Sequence, residues 1–295
     1  MINYSVIIPH YNSLDVLPRA IDSIPERDDI EILVVDNSST PINSKLFPSR
    51  KNVHIYYSRN GQGAGAARNI GLLHAKGRWL LFLDADDFFM ENAFLSFDKY
   101  INYNSDIIFF KEISCMSDTL ELSNRHLSYN TLVDSFLSAK GKKEEDDLRY
   151  RWGSPWGKMI RSELVQQHTI KFDETMASND VMFSFFTGFY AQEIEASTDV
   201  TYCITTHEGS LTSTPSMNNL VSRVIVFARY NRYISQYRLP ACYKKSVMIY
   251  IYTAYKEHGI RQAISLFFLS LRHGNNPFIG ATRWGRTVGL SRKTE

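Results

Sequence analysis

The stretch LLFLDADD at residues 80–87 constrains this chain more than any other. Four apolar residues in a row read as a buried strand. Three carboxylates, Asp84, Asp86 and Asp87, follow within four positions. Packing gives no reason to crowd negative charge at the end of such a strand. Carboxylates this close repel, and one must keep its proton unless a cation lies between them. A hard divalent ion takes oxygen ligands, commonly one or two carboxylates together with substrate phosphates. The competing reading is a solvated acidic turn capping a helix that starts near Met90, since Asp is favoured before helices. The neighbouring segments decide for the cation.

Strand and helix signals alternate from the start. Tyr4–Ile8 is a short β-branched run ending in Pro9, His10, Tyr11 and Asn12, and a helix follows with Leu14, Leu17, Ile21 and Ile24 at helical spacing. Glu31–Val35 is a second strand, closed by Asp36, Asn37 and Ser38, and Val53–Tyr57 is a third. A glycine-rich loop at 59–65 leads into a helix of small residues, Ala66–Ala75, and then into the strand at Trp79–Leu83. This alternation predicts an α/β fold, a mostly parallel Rossmann-like sheet with helices on both faces. Ligands of such sheets sit outside the carboxyl ends of the strands. Tyr11, Asp36, Arg68 and the Asp84–Asp87 cluster all fall at or after those ends.

Further on, Glu91–Asn102 reads as a helix and Asp106–Ile113 as a strand. The charged run Lys140–Arg149 reads as a solvated loop or helix end. Arg151–Lys158 (RWGSPWGK) is irregular, and its tryptophans are either packing anchors or platforms for a sugar ring. The apolar stretch Val181–Tyr190 reads as a buried helix with Asp180 at its N-terminus, where capping and the helix dipole favour a carboxylate.

Charge divides the chain. From Arg223 onward 13 Lys and Arg stand against Glu257 and Glu295, whereas the preceding residues carry 20 basic and 29 acidic side chains. The region from 218 on is largely helical, with tyrosine and phenylalanine interleaved among the basic residues. Such helices suit an anionic membrane surface, although a helical subdomain with a solvated exterior has the same pattern. No nucleic-acid module is evident, so nucleic acid is not an expected partner. No apolar run is long enough to span a bilayer, and the N-terminus lacks signal-peptide features. Cys115, Cys203 and Cys242 show neither zinc spacing nor a disulfide framework. A cytoplasmic protein, peripheral at the inner face of the cell membrane, is the expectation.

Six segments in order, SVIIPHYN (5–12), EILVVDNSST (31–40), GAGAARNIG (63–71), LFLDADD (81–87), WGKMIRSEL (156–164) and FDETMASNDVMF (172–183), resemble family 2 glycosyltransferases with the GT-A fold. These are bacterial enzymes of capsule and lipopolysaccharide synthesis. The resemblance implies a GT-A domain over 1–215, with a nucleotide-binding half 1–115 and an acceptor-side half 116–215, followed by a helical region 216–295. It implies an inverting transfer from a nucleotide sugar, a UDP-sugar, to a saccharide or lipid-linked saccharide, with Mn²⁺ or Mg²⁺ as cofactor. By the same resemblance Asp86 is the metal ligand and Asp84 meets the ribose or a metal-bound water, with Ala85 between them. Pro9 and Tyr11 flank the nucleobase beside Asn12, while Asp36, Asn37 and Ser38 lie near base and ribose. Arg68, positioned by small residues including Gly65, contacts the nucleotide, and Asp180 is the catalytic base. Trp152, Trp156, Lys158 and Asn179 fall on the acceptor side.

Three departures stand out. Asn37 replaces the usual second acid, Asn179 replaces the acid before the base, and the run TYCITTHEGS replaces an aromatic strand ending in Arg. His207 in that run is a candidate further ligand of the metal or diphosphate, with a structural role as the alternative. The rival readings are an NAD-type oxidoreductase and a carbohydrate-binding protein that keeps the fold without catalysis. Gly61, Gly63 and Ala66 fit the dinucleotide fingerprint, but that fingerprint normally follows the first strand.

Overall fold

The computed structural model describes residues 1–43, 50–59, 63–206 and 215–279. The first half follows the predicted alternation: β1 (Tyr4–His10), α1 (Leu17–Asp22), β2 (Ile30–Asp36), β3 (Val53–Tyr57), α2 (Gly63–His74) and β4 (Trp79–Phe82). Next come β5 (Phe88–Phe89), α3 (Ala93–Asp98), β6 (Ile107–Met116), α4 (Leu127–Ala139) and α5 (Lys142–Arg151). They are followed by β7 (Lys158–Arg161), α6 (Ser162–Gln167), α7 (Val181–Tyr190) and β8 (Ile194–Thr206). Three helices complete the described chain: α8 (Met217–Gln236), α9 (Met248–His258) and α10 (Ile260–Arg272).

The chain forms two compact units, one of Met1–Glu174 with Met182–Glu208 and one of Thr175–Val181 with Gly209–Glu295. The first holds the sheet, in the order β3-β2-β1-β4-β7-β6-β8-β5. β1, β2, β3 and β4 are mutually parallel, as are β6 and β8, while β7 and β5 run antiparallel to their neighbours. The order reverses between β1 and β4, so the carboxyl ends of these two strands flank a topological switch point. In open α/β sheets that is where ligands bind.

Side-chain alternation explains the layers. Val6 and Ile8 of β1 join Ile32, Val34, Leu81 and Leu83 in one core cluster, which takes in Leu17 and Ile21 of α1 and Phe94 and Phe97 of α3. Ile7 points to the other face with Leu33, Leu80 and Phe82, against Phe183 of α7. Small residues bring α2 close to the sheet: a Cβ on Gly71 would come within 2.5 Å of the Ile7 side chain.

The structure differs from the sequence reading in several places. Lys140–Arg149, expected as loop or helix end, lies largely in α5, which four i,i+4 ion pairs support: Lys142–Asp146, Lys143–Asp147, Glu145–Arg149 and Asp147–Arg151. Arg149 is buried, and its Nη1 donates to the carbonyls of Gly188 and Ala191, 2.7 Å each. α3 is shorter than the Glu91–Asn102 expectation, and residues 88–89 before it pair with β8 as β5. Leu14 lies before α1 and is exposed. Cys115 and Cys203, distant in sequence, are buried free thiols with their sulfurs 3.3 Å apart.

In the second unit, Leu220 and Val224 of α8, Ile251 and Ala254 of α9, and Ala263 and Leu266 of α10 form a core of their own. Tyr230 is buried, and the Phe227 and Tyr250 rings stack 5.6 Å apart. No described helix is long and apolar enough to cross a membrane.

Candidate active site

Two strand tips meet at the switch point, and their chemistry differs. At the β1–β2 tip, His10 and Asp36 are register partners, and His10 Nδ1 lies 3.0 Å from Asp36 Oδ1. The Ser13 N–H donates to His10 Nε2 at 3.2 Å, so Nε2 is the acceptor nitrogen and Nδ1 carries the proton to Asp36. Asp36 also accepts from the backbone N–H of Ser38 at 3.0 Å and of Ile42 at 2.7 Å. Burial alone would raise the Asp36 pKa, but the hydrogen bonds from Ser38, His10 and Ile42 outweigh it and hold the carboxyl below the ordinary value. Ser38 Oγ in turn accepts from the Asn12 N–H at 2.8 Å.

Asp36, expected beside base and ribose, is therefore occupied by its own chain. It ties the loop after β1 to the loop after β2. Asn37 is buried as well, with its Oδ1 accepting from Ser58 Oγ at 2.9 Å. Tyr11 and Asn12 remain exposed, Asn12 with a positive φ of 50°, and Pro9 is half-buried.

At the β4 tip the carboxylates separate. Asp84 is partly exposed and pairs with Arg68 Nη2 at 2.5 Å. Arg68 is buried in α2, one turn beyond the buried Gly65, with its guanidinium over the Phe172 ring at 5.4 Å. The adjacent Asn69 fixes this arrangement, donating to the Phe172 carbonyl at 3.0 Å and accepting from its N–H at 2.8 Å. Ala85 is buried and Asp86 is half-buried. The Asp86 backbone carbonyl accepts from Arg19 Nη2 at 2.7 Å and Thr205 Oγ1 at 2.8 Å.

Asp87 turns into the core. It accepts from the Tyr202 hydroxyl and the Thr205 N–H, both at 2.7 Å. Burial, and then the charges of Asp86 and Asp84, push its carboxyl well above the ordinary value. Behind it, Glu112 of β6 is fully buried and both its oxygens lack a hydrogen-bond partner, and burial above all pushes its carboxyl well above the ordinary value. Gly157 leaves the room that Glu112 needs: its φ is 70°, and a Cβ there would collide with Glu112 Oε1.

The donor set at this tip fits a divalent cation. Asp84 and Asp86 present carboxylate oxygens, and their charges add to burial in raising the pKa of the Asp87 carboxyl. Among the described residues no three His, Cys, Asp or Glu side chains are grouped to hold a metal ion. A cation held there would need its remaining ligands from a phosphate-bearing substrate or water, the usual mode for Mg²⁺. His207 lies outside the described residues.

On the expected acceptor side, Trp152 and Trp156 are 1% and 5% exposed. Trp152 packs on Phe109 and Tyr129, and Trp156 stacks on Tyr202 at 5.5 Å. Their faces are taken by other rings, so the packing reading replaces the sugar-platform reading. Lys158 is buried too, its Nζ donating to the Trp152 carbonyl at 3.2 Å. Asn179 and Asp180 are half-buried in the turn before α7 and belong to the second unit. Sequence reasoning missed His10, Arg19, Tyr202 and Thr205. Only the departure noted at TYCITT pointed toward the last two.

The profile of Glycosyl transferase family 2 matches residues 5–168, more than half of the chain. The chain belongs to this family. A poly(ribitol-phosphate) beta-glucosyltransferase of Bacillus spizizenii is 26% identical over 208 residues, which cover 67% of this chain and 31% of that protein. The chain spans 17 to 31% of the length of three curated relatives. The structure of Staphylococcus aureus TarS 1-349 in complex with UDP-GlcNAc matches with a TM-score of 0.70 at 19% identity, covering 92% of this chain and 81% of that one. A mannosyltransferase from Pyrobaculum calidifontis in complex with GDP-Man and Mn2+ matches with a TM-score of 0.55 at 18% identity, over 98% of this chain and 80% of that one. These likenesses give the GT-A fold. Family membership also removes the oxidoreductase reading, and the glycine-rich loop follows the edge strand β3, not the first strand.

Proposed function

We propose that the chain is an inverting, metal-dependent glycosyltransferase that moves a sugar from a nucleotide sugar, a UDP-sugar, to a saccharide or lipid-linked saccharide of the cell surface. The observation that carries this reading is the pair of accessible carboxylates, Asp84 and Asp86, beside the β1 tip at the switch point. Family membership supports the reaction class. The UDP-GlcNAc bound by TarS and the sugars named for the relatives support the donor class.

In this reading Asp86 holds Mn²⁺ or Mg²⁺, with Asp84 kept in place by Arg68. When bound, the metal supplies Lewis-acid stabilisation of charge developing on the diphosphate. Pro9 and Tyr11 flank the base, and Asn12 and Ser38 shape the loop around it. Asp180 accepts the proton of the acceptor hydroxyl as its oxygen bonds to the anomeric carbon. The anomeric carbon–phosphate oxygen bond breaks on the opposite face, and its electron pair leaves with the nucleoside diphosphate. The anomeric centre inverts. The protein works at the cytoplasmic face of the membrane, its basic C-terminal region against anionic lipid.

Screening nucleotide sugars for hydrolysis and thermal stabilisation, with Mn²⁺ or Mg²⁺ present, tests the reading. One donor should stand out. Asp180→Asn should then retain donor binding while transfer falls roughly 10²–10⁴-fold, the usual range for general base catalysis. Normal turnover by that variant would put the base elsewhere. A fold-retaining, non-catalytic protein would bind saccharide and hydrolyse none of the donors.

A further inference from the structure

α10 carries an apolar stripe that the described residues of its own unit leave uncovered. Ile260, Ile264, Phe268 and Leu271 are 58%, 49%, 57% and 45% exposed. At 100° per residue they fall within one narrow face of the helix. Ala263, Leu266 and Ser270 lie on a separate face and are buried, the first two in the core with Val224 and Ile251. Arg261, Arg272 and Ser265 border the stripe on its other side, before Leu269 and the packed face. The helix thus has three sides: one packed, one apolar and exposed, one basic.

We infer that this stripe is the surface by which the protein docks on a bilayer leaflet bearing acidic phospholipid headgroups, with α10 lying in the interface plane. The inference rests on the membrane-side placement proposed above and names the residues that make the contact. From Ile260 to Leu271 the stripe runs roughly 16 Å, about half the thickness of a bilayer core, so it can lie on a membrane but not cross one. Apolar side chains flanked by arginines match the boundary between acyl chains and anionic headgroups. α9 presents a related exposed set, Ile249, Tyr252 and Tyr255 with Lys256, and tyrosine suits that boundary.

Charge selects a membrane over a second copy of the chain. Between residues 215 and 279 nine Lys and Arg stand against Glu257 alone. A symmetric pairing of two α10 faces would bring Arg261 and Arg272 toward their own copies, with almost no acid to offset them. An acidic leaflet neutralises them.

The test is co-sedimentation of the full chain with phosphatidylglycerol-containing vesicles and with pure phosphatidylcholine vesicles. Circular dichroism and nucleotide-sugar hydrolysis are measured alongside. Ile264→Glu and Phe268→Glu should each lower partition to anionic vesicles more than tenfold, the scale of an apolar side chain left out of the acyl boundary. Arg261→Gln and Arg272→Gln should each lower it about fivefold. All four should keep their helical content and hydrolysis rate. Unchanged partition of the two glutamate variants overturns the docking face, and if hydrolysis persists the transferase reading stands. The converse, α10-dependent partition with no hydrolysis by any form, sinks the transferase reading alone. A wild-type dimer that Phe268→Glu dissociates, seen by analytical ultracentrifugation, also overturns the inference.

Discussion

Asp36 and Asp87 are both buried aspartates near the same switch point, yet they are held in opposite states of charge. Asp36 sits among donors, the His10 ring and the N–H groups of Ser38 and Ile42, and stays ionised although almost wholly out of water. Asp87 has two good donors of its own in Tyr202 and Thr205, but burial first, and then the charges of Asp86 and Asp84, push its carboxyl well above the ordinary value. Hydrogen bonds from its own chain hold the first tip, whereas the second crowds three carboxylates together, with Arg68 paired to Asp84. A carboxylate held by its own chain serves as a strut, and the proposed cation site lies at the tip where Asp84 and Asp86 crowd together.

The largest effect should come from the β4 tip. Asp86→Ala should lower sugar transfer about a hundredfold or more, since Lewis-acid stabilisation contributes several kcal/mol, while the thermal midpoint stays near wild type. A comparable loss of activity from Asp36→Asn, without any loss of stability, would break the contrast. Instead, Asp36→Asn should cost about 2–3 kcal/mol in denaturant unfolding at neutral pH, because an amide nitrogen would face a buried N–H. Asp87→Asn should cost under about 1 kcal/mol by the same measurement, since the native side chain is already neutral.

The pH dependence sharpens the contrast through its sign. Asp36 has a lowered folded pKa, so its contribution is present above the ordinary carboxylate value, about 3.9. It is lost as pH falls through the lower folded value. Asp87 has a raised folded pKa. As pH rises from about 3.9 toward that value, the unfolded chain releases a proton that the folded chain keeps, and stability falls. Thermal midpoints measured across acid to neutral pH should therefore show Asp87→Asn gaining on wild type as pH rises. Asp36→Asn should lose least at the acid end.

Much of this architecture was legible in residues 1–87. Hydrophobic runs closed by polar residues gave β1, β2 and β4 within a few positions, because each of these strands is buried on both faces, and a β-branched and aromatic run gave the more exposed edge strand β3. The acidic tip was legible for the same reason: charge at the end of a buried strand has no packing explanation. What escaped depends on contacts distant in sequence. β5 exists only because Phe88 and Phe89 meet Cys203 and Tyr202. α5 looked too charged to be ordered, yet its ions pair along the helix and Arg149 fills buried carbonyls. Trp152 and Trp156 could not be assigned from composition, since a ring that packs and a ring that receives a sugar look alike until their neighbours are known. The hydrogen bonds that tie Asp36 to its own chain were not legible either. His10, its partner 26 positions away, carries no local signal for that role.

Titration calorimetry bears most directly on the central claim. A panel of nucleotide sugars would be titrated into wild type and Asp86→Ala, with and without Mn²⁺. Wild type should bind one donor far more tightly with Mn²⁺ present, and Asp86→Ala should bind it equally weakly in both conditions. Donor binding that ignores both the metal and the loss of Asp86 would contradict the assignment of the β4 tip as a cation site.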